Sequence, residues 1–302
     1  MSTVFGLLVL FALCVQTTVA VPTLLKRDAP FDSVKTNLRY HHQDEDKKEP
    51  DKYFHEAKFD HHYDGRFAEK KLSYDERRTH LSALLQTYLG TMRDIGAENW
   101  IMHGTLLGWW WNQKILPWDS DLDVMVSEKA IHHIAEYYNM TMHRYKLPGV
   151  EKGRDYLLEV NPHYTNATLE SANKIDARWI DTDTGLYIDI TTLRRNATAD
   201  HDSVTSCWVK DNHHYAYDDI FPLRETTFEG FTVNVPFAHG EILIEEYGER
   251  ALSNVFFQNH HFDPDKKEWL PITYASSPRV NQAPPQPGIS YWSQRVPSQD
   301  GN

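Results

Sequence analysis

Acidic residues repeat at every second position near the middle of the chain, as Asp119, Asp121 and Asp123. If this stretch is extended, the three carboxylates share one face, because side chains alternate along a strand. Crowded carboxylates repel one another, so such an arrangement requires a cation. Oxygen ligands of this kind suit Mg²⁺ or Mn²⁺. The spacing therefore predicts a divalent-cation site.

A glycine turn lies upstream of these aspartates. Gly104 and Thr105 stand where a predicted strand gives way to a helix. Glycine lets a phosphate approach the backbone, and a helix N-terminus presents N–H donors with partial positive charge. We expect this pair to contact the phosphates of a donor molecule.

Asp189 is an acidic residue inside an apolar strand, between Ile188 and Ile190. Burying a carboxylate is costly unless it is paired or coordinates a cation. Asp189 is therefore the best remote candidate to complete a cation site with Asp121 and Asp123, and a buried structural salt bridge is the alternative. A glycine turn, an Asp-x-Asp strand and a later lone aspartate form the nucleotidyltransferase-type pattern, in which carboxylates hold Mg²⁺ beside a pyrophosphate.

The segment 103–124 reads HGTLLGWWWNQKILPWDSDLDV. It resembles the signature of the LicD phosphotransferase family, and residues 187–190, 219–223 and 235–248 look like later blocks of that family. The family includes bacterial phosphocholine transferases, animal fukutin-related proteins and fungal proteins of glycan mannosylphosphorylation. The tryptophan-rich loop is most similar to the fungal branch.

The resemblance implies a nucleotidyltransferase-like fold and a metal-dependent transfer of a phosphate-linked group, such as a sugar phosphate, from a nucleotide-activated donor to a glycan. Cell-wall or glycoprotein mannosylphosphorylation is the expected setting. By position, it implies that Asp121, Asp123 and Asp189 bind the metal, Mg²⁺ or Mn²⁺. Asp119 lies beside them as a further catalytic residue, either a general base or another ligand.

Two departures from the family pattern concern the donor. Bacterial members often carry an acidic residue at the position of Ser120 and a basic residue near Trp111. We expect Lys114 to supply the missing positive charge at the donor phosphates, with Arg194 and Arg195 as alternatives.

Helices and strands are intermixed along the chain. Ser73 and Glu76 predict a capping box for a helix that ends at Gly96, and Ser127 predicts the start of another helix. This order favours an α+β fold, with a nucleotidyltransferase-like mixed sheet core flanked by helices and with extended N- and C-terminal segments.

Composition divides the chain into four parts. Residues 1–20 are predicted to be a signal peptide, and residues 21–72 a polar, exposed approach segment or propeptide. Residues 73–257 are predicted to be the LicD-type domain. Residues 258–302 are rich in Pro, Ser and Gln and predict a loosely packed tail.

The N-terminus predicts the cellular compartment. The apolar run of residues 4–15 has signal-peptide length, and Lys26-Arg27 resembles a processing site. Three N-x-[ST] triplets agree with glycosylation in the secretory pathway: Asn139, Asn166 and Asn196. The predicted location is the secretory pathway, in the Golgi lumen or outside the cell, and a membrane contact is expected only if the leader is retained.

Charge excludes one class of partner. With 31 Lys and Arg against 43 Asp and Glu, the net charge of −12 excludes a general nucleic-acid binder. The expected partners are a nucleotide-activated sugar or alcohol donor and a glycan acceptor.

Three histidine pairs are predicted to lie at the surface rather than at a zinc ion, because no Cys cluster or H-E-x-x-H motif accompanies them: His132-His133, His213-His214 and His260-His261.

Two other functions stay open from the sequence. The chain is alternatively a catalytically inactive regulator of a glycan phosphotransferase. It is also compatible with a secreted carbohydrate-binding protein that uses Trp109, Trp110 and Trp111, although these side chains are equally suited to core packing.

Overall fold

A computed structural model describes residues 27–28, 52–146, 153–166, 172–196 and 205–272. The described residues form two compact units, one ending at Asn254 and the other beginning at Val255. The predicted signal peptide lies outside the described residues.

The first unit contains a nine-stranded mixed sheet. Its strands are β1 (Arg27–Asp28), β4 (Asn99–Ile101), β5 (Leu122–Ser127), β6 (Thr141–Tyr145), β7 (Arg154–Val160), β8 (Ala177–Asp181), β9 (Tyr187–Arg195), β10 (Ser206–Trp208) and β11 (His214–Ala216). The neighbours run β1-β6-β7-β8-β9-β10-β11, and β5 pairs with both β4 and β9. The β5–β9 pair is parallel and the others are antiparallel. The predicted α+β mixed sheet is confirmed.

Helices pack around this sheet. They are α1 (Tyr74–Ile95), α2 (His103–Asn112), α3 (Glu128–Tyr137), α4 (Tyr217–Ile220) and α5 (His239–Tyr247), and a short 3₁₀ helix spans Glu249–Leu252. The Ser73–Glu76 capping box is present at the start of α1, and Gly96 ends that helix in the left-handed conformation. Ser127 caps α3 as predicted, since its side chain accepts the Ala130 N–H.

The core lies between α1 and the centre of the sheet. Trp179 on β8 is fully buried, and its indole N–H donates to the Thr87 hydroxyl of α1 at 3.1 Å. The Tyr156 ring of β7 stacks on Trp179 with 5.5 Å between the ring centroids. Aromatic packing and one satisfied indole N–H therefore fix α1 against the sheet.

The prediction of an exposed approach segment is wrong for residues 52–72. This part forms the hairpin β2 (Glu56–Ala57) and β3 (Asp60–Asp64). Phe54 and Tyr63 are buried, and the Tyr63 hydroxyl accepts the Leu72 N–H at 3.1 Å. The many His and Asp residues of this segment separate its few apolar residues, so the sequence shows no pattern that predicts a packed hairpin.

Two smaller sheets complete the described residues. A hairpin that turns at Glu229-Gly230 is formed by β12 (Arg224–Phe228) and β13 (Phe231–Val235). The second unit contains the three-stranded sheet β14 (Phe256–Phe257), β15 (His260–Asp263) and β16 (Glu268–Pro271). The prediction of a loose tail beyond residue 258 is therefore wrong as far as residue 272, where Trp269 is buried against Phe262.

Candidate active site

The parallel pairing of β5 with β9 brings distant aspartates together. Asp123 and Asp189 are direct partners in the register of these two strands. Asp121 immediately precedes β5, and Asp119 lies at the end of the turn before it. The sequence-predicted carboxylates thus gather at one place in the sheet, although 66 residues separate the register partners, counted as 189 minus 123.

The carboxylates of this cluster disfavour each other's charge. Burial, followed by repulsion from Asp121, holds the pKa of both Asp119 and Asp123 well above the ordinary value. Burial also raises the pKa of Asp189, and the Arg178 guanidinium opposes that effect. The cluster is therefore short of positive charge.

The turn between β4 and α2 holds Asp123 by its backbone. The Met102 N–H donates to the Asp123 carbonyl at 3.1 Å, and the Asp123 N–H donates to the Thr105 hydroxyl at 2.9 Å. Thr105 is only 1 % exposed. Its hydroxyl is committed to the backbone of β5, so this residue positions Asp123, and the predicted phosphate contact stays a prediction.

Gly104 allows the turn to pass close to Asp119. A Cβ atom at Gly104 would lie 3.3 Å from Asp119 Oδ2 and 3.8 Å from Oδ1. A side chain at this position would therefore press on the carboxylate. Lys114, the other predicted phosphate contact, lies in the turn after α2, where its backbone carbonyl packs against Gly108. Its contact with a phosphate also stays a prediction.

Arg178 belongs to this site through a pairing with Asp189 that the sequence did not predict. It lies opposite Asp189 in the β8–β9 register, and its Nε donates to Asp189 Oδ1 at 2.7 Å. Its Nη2 donates to Glu56 Oε1 at 2.9 Å, and the guanidinium stacks 3.7 Å from the centroid of the Tyr187 ring. Asp189 thus has the buried salt bridge that was the alternative to metal binding. An arginine between the apolar residues of β8 was the available signal.

The β2–β3 hairpin also contributes to the site. The His62 Nδ1 lies 2.8 Å from the Ser120 hydroxyl, and its Nε2 lies 3.7 Å from Asp121 Oδ2. A cavity of about 340 Å³ opens here. Among the groups that line it are Asp121, Asp189, Arg178, His62, Lys52 and Lys174. Acidic and basic groups therefore face the same cavity.

The family signal covers this part of the chain. Residues 96–238 match the family model described as LicD/FKTN/FKRP, nucleotidyltransferase domain. The chain carries a LicD-family domain. Both the glycine turn and all four aspartates fall inside the matched LicD segment.

Two yeast proteins are similar to the chain. Mannosyltransferase regulator 14 of Saccharomyces cerevisiae is 34 % identical over 197 residues, which are 65 % of this chain and 18 % of the relative. Mannosyltransferase regulator 4 of the same yeast is 31 % identical over 159 residues, 52 % of this chain and 13 % of the relative. The chain therefore spans less than a fifth of the length of these relatives.

Arg194 does not supply charge to the cluster of Asp119, Asp121, Asp123 and Asp189. Its guanidinium donates to both oxygens of Asp176, at 2.9 and 3.0 Å, and Lys210 Nζ lies 2.9 Å from the same carboxylate. All three residues are buried. The expectation for Arg194 is wrong, because a structural ion-pair network already binds it, and Arg195 lies exposed at the end of β9.

The tryptophans of α2 make packing contacts. Trp109 Nε1 donates to the Thr226 hydroxyl at 3.2 Å, and Trp111 Nε1 donates to the Ala251 carbonyl at 3.0 Å. Trp110 meets Trp111 edge-on. These contacts tie α2 of the LicD domain to the β12–β13 hairpin and to the 3₁₀ helix, and they favour the packing interpretation over ligand stacking.

The predicted glycosylation sites lie between helices and strands. Asn139 is exposed after α3, and its Oδ1 accepts the Val160 N–H at 2.9 Å. Asn166 and Asn196 each directly precede a segment that the structure does not describe, residues 167–171 and 197–204. Among the described residues, no helix combines the length and apolar character that a membrane crossing needs.

Proposed function

We propose that this LicD domain transfers a phosphate-linked group, such as a sugar phosphate, from a nucleotide-activated donor to a mannose-containing glycan. The observation that carries the proposal is the pairing of Asp123 with Asp189 on adjacent parallel strands, with Asp121 and Asp119 at the entrance to β5. The names of the yeast relatives support mannose glycans as the setting. The three N-x-[ST] triplets support the secretory pathway as the location.

A divalent cation, Mg²⁺ or Mn²⁺, fits the carboxylates of the site. Burial and mutual repulsion raise the pKa of Asp119 and Asp123, and a cation would relieve this repulsion. Asp121, Asp123 and Asp189 would hold it, and when bound it would neutralise charge on the donor phosphates. Asp119, beside Gly104, is then placed to take the proton of the acceptor hydroxyl or to complete the ligand set.

Arg178 is suited to orient the donor. Its Nη1 is buried and has no hydrogen-bond partner among the described residues, while its other nitrogens bind Asp189 and Glu56. An N–H group in this state is costly unless a ligand accepts from it. The guanidinium lines the 340 Å³ cavity together with Lys52 and Lys174, so a phosphate of the donor would find three cationic groups there.

The test is transfer by the purified full-length chain. Mn²⁺, a panel of nucleoside-diphosphate sugars and a mannose oligosaccharide are supplied, and the phosphorylated product is measured. The double variant Asp121→Asn/Asp123→Asn should lose at least about 1,000-fold in rate, which corresponds to ~4 kcal/mol. The matched control Asp94→Asn, at an exposed site in the last turn of α1, should keep the full rate. Equal turnover by the wild type and the double variant refutes the proposal.

One observation favours a second function. Arg178 already forms an ion pair with Asp189, which lowers the capacity of this carboxylate to bind a cation. A regulator of a mannosyltransferase would tolerate that pairing, and both yeast relatives carry the word regulator in their names. The turnover assay separates the two functions: a transferase turns over a nucleoside-diphosphate sugar in the presence of Mn²⁺, whereas a regulator folds normally and does not.

A further inference from the structure

A second cluster of ligand-type side chains lies beside the aspartates and takes no part in the proposed transfer. His103 begins α2, Asp211 and His213 flank a turn after β10, and Glu246 lies in the last turn of α5. Ligand atoms of His103, His213 and Glu246 all lie within 4.8 Å of one another. Three separate parts of the first unit therefore place imidazole and carboxylate groups at one point.

The distances around His103 are those of a partly assembled coordination site. His103 Nδ1 lies 2.7 Å from Glu246 Oε1, and His103 Nε2 lies 3.8 Å from Asp211 Oδ2. His213 Nδ1 lies 3.0 Å from Asp211 Oδ1. Ligands at 2.0–2.1 Å from a tetrahedral zinc are about 3.3 Å apart. Because an imidazole binds an ion through one nitrogen, the His103 ring would have to re-orient to bring that nitrogen, Glu246 and Asp211 to a common ion.

His103 carries two further signs of a built site. Its Nε2 is buried and, within the described part of the chain, has no hydrogen-bond partner. Its backbone has φ 52°, a left-handed conformation that non-glycine residues adopt rarely and at a cost. The fold therefore holds this imidazole in a strained position while leaving one nitrogen unused.

We propose that His103, His213 and Glu246, with Asp211 as the fourth ligand, bind a zinc-class transition-metal ion. Two neutral imidazoles and two carboxylates balance the charge of a divalent ion, and mixed nitrogen and oxygen ligands suit zinc better than Mg²⁺. The ion would tie the start of α2, the turn after β10 and the end of α5 together, next to the strand that carries Asp123. His213 is 40 % exposed, which leaves a path for the ion to enter.

This assignment differs from the sequence prediction for one histidine pair. His213 and His214 were expected at the surface, and His214 is exposed as predicted. His213 instead turns toward His103, with 5.2 Å between the ring centroids. The short spacing between Asp211 and His213 was the only local signal, because the other ligands lie far away in the sequence.

The test uses Zn²⁺ itself and does not require transferase activity. The full chain is stripped with a chelator, refilled with Zn²⁺ in competition with a chromophoric chelator, and analysed for bound metal by mass spectrometry. We expect one tightly held equivalent and a higher Tm in the presence of zinc. Co²⁺ in place of zinc should give the visible absorption of a four-coordinate nitrogen and oxygen site.

Matched variants decide where the ion binds. Loss of an outer-shell partner costs metal sites 10- to 100-fold in affinity, so His213→Gln should cost at least about 100-fold. His214→Gln, the exposed neighbour, should bind zinc as the wild type does. Asp121→Asn should also keep zinc, which separates this proposal from the transferase proposal. If a His213 variant does not fold, Asp211→Asn takes its place.

Three results overturn the assignment. The wild-type chain fails to retain zinc or to gain thermal stability from it, in which case His103 and Glu246 form only an ion pair. Alternatively, His213→Gln keeps the wild-type affinity. Finally, zinc binding is lost in Asp121→Asn and kept in His213→Gln, which would place the ion in the aspartate cluster.

Discussion

Substitution of Gly104 by alanine separates the stability of the domain from its affinity for a cation. Gly104 is the second residue of α2, with right-handed backbone, so alanine fits the helix. The new Cβ would lie 3.3 Å from Asp119 Oδ2, closer than an ordinary contact. Asp119 must therefore move by a few tenths of an ångström.

The two effects have different magnitudes. Replacing a helical glycine by alanine stabilises a protein by about 0.5–1 kcal/mol, because the unfolded chain loses freedom. The contact with Asp119 offsets part of this gain, so the free energy of unfolding should change by less than about 1 kcal/mol. If Asp119 completes the ligand set, its displacement should lower the affinity for Mn²⁺ by about tenfold, equivalent to ~1.4 kcal/mol.

Gly240 provides the matched control. It is the second residue of α5, it also follows a histidine, and nothing lies within 4 Å of a Cβ atom built there. Gly240→Ala should therefore raise the free energy of unfolding and leave Mn²⁺ affinity unchanged. Urea denaturation and isothermal titration with Mn²⁺ measure both quantities. If Gly104→Ala binds Mn²⁺ as tightly as Gly240→Ala does, Asp119 does not belong to the cation site.

Two further predictions concern stability. Thr105→Val should lower the free energy of unfolding by about 1–3 kcal/mol, because the Asp123 N–H loses its acceptor. Thr105→Ser keeps a hydroxyl and should retain most of the wild-type stability. Urea denaturation measures both variants, and equal stability of the two would contradict the reasoning. Burial, and after it the Arg154 charge, lower the pKa of His80 in the folded state. The His80 imidazole therefore binds a proton more readily in the unfolded chain than in the folded one. The free energy of unfolding should fall as the pH drops from 7 through 6.5 and below. His80→Gln should flatten that fall in a series of denaturation curves, and an unchanged slope would exclude His80 as its source.

Local signals predicted the frame of the domain. Ser73 with Glu76 and Ser127 marked helix starts, because their side chains cap free N–H groups regardless of the rest of the fold. The alternation from Asp121 to Val126 marked β5, since one face of that strand is buried. Each of these signals spans a few residues and does not depend on which strands pair with each other.

The remaining parts of the site depend on strand register, which a single sequence does not reveal. Arg178 is significant because the β8–β9 register sets it opposite Asp189, and because Glu56 arrives from a hairpin 122 residues earlier. His62 lies in the segment that was predicted to be polar and exposed, and the hairpin places it beside Asp121. The sequence does not show whether a charged or polar residue is buried or exposed, because the residue type is the same in both cases. Its hydrogen-bond and ion-pair partners in the fold make the difference.

The balance of charge limits what metal binding can prove about function. Arg178 is shared between Asp189 and Glu56, and the His103 imidazole is bound to Glu246. Raised pKa values at Asp119 and Asp123 mean that these cations do not satisfy the cluster. A divalent ion would relieve the repulsion in an active transferase and in an inactive regulator alike. Cation binding therefore tests the site, and only turnover of a nucleotide-activated donor distinguishes the two functions.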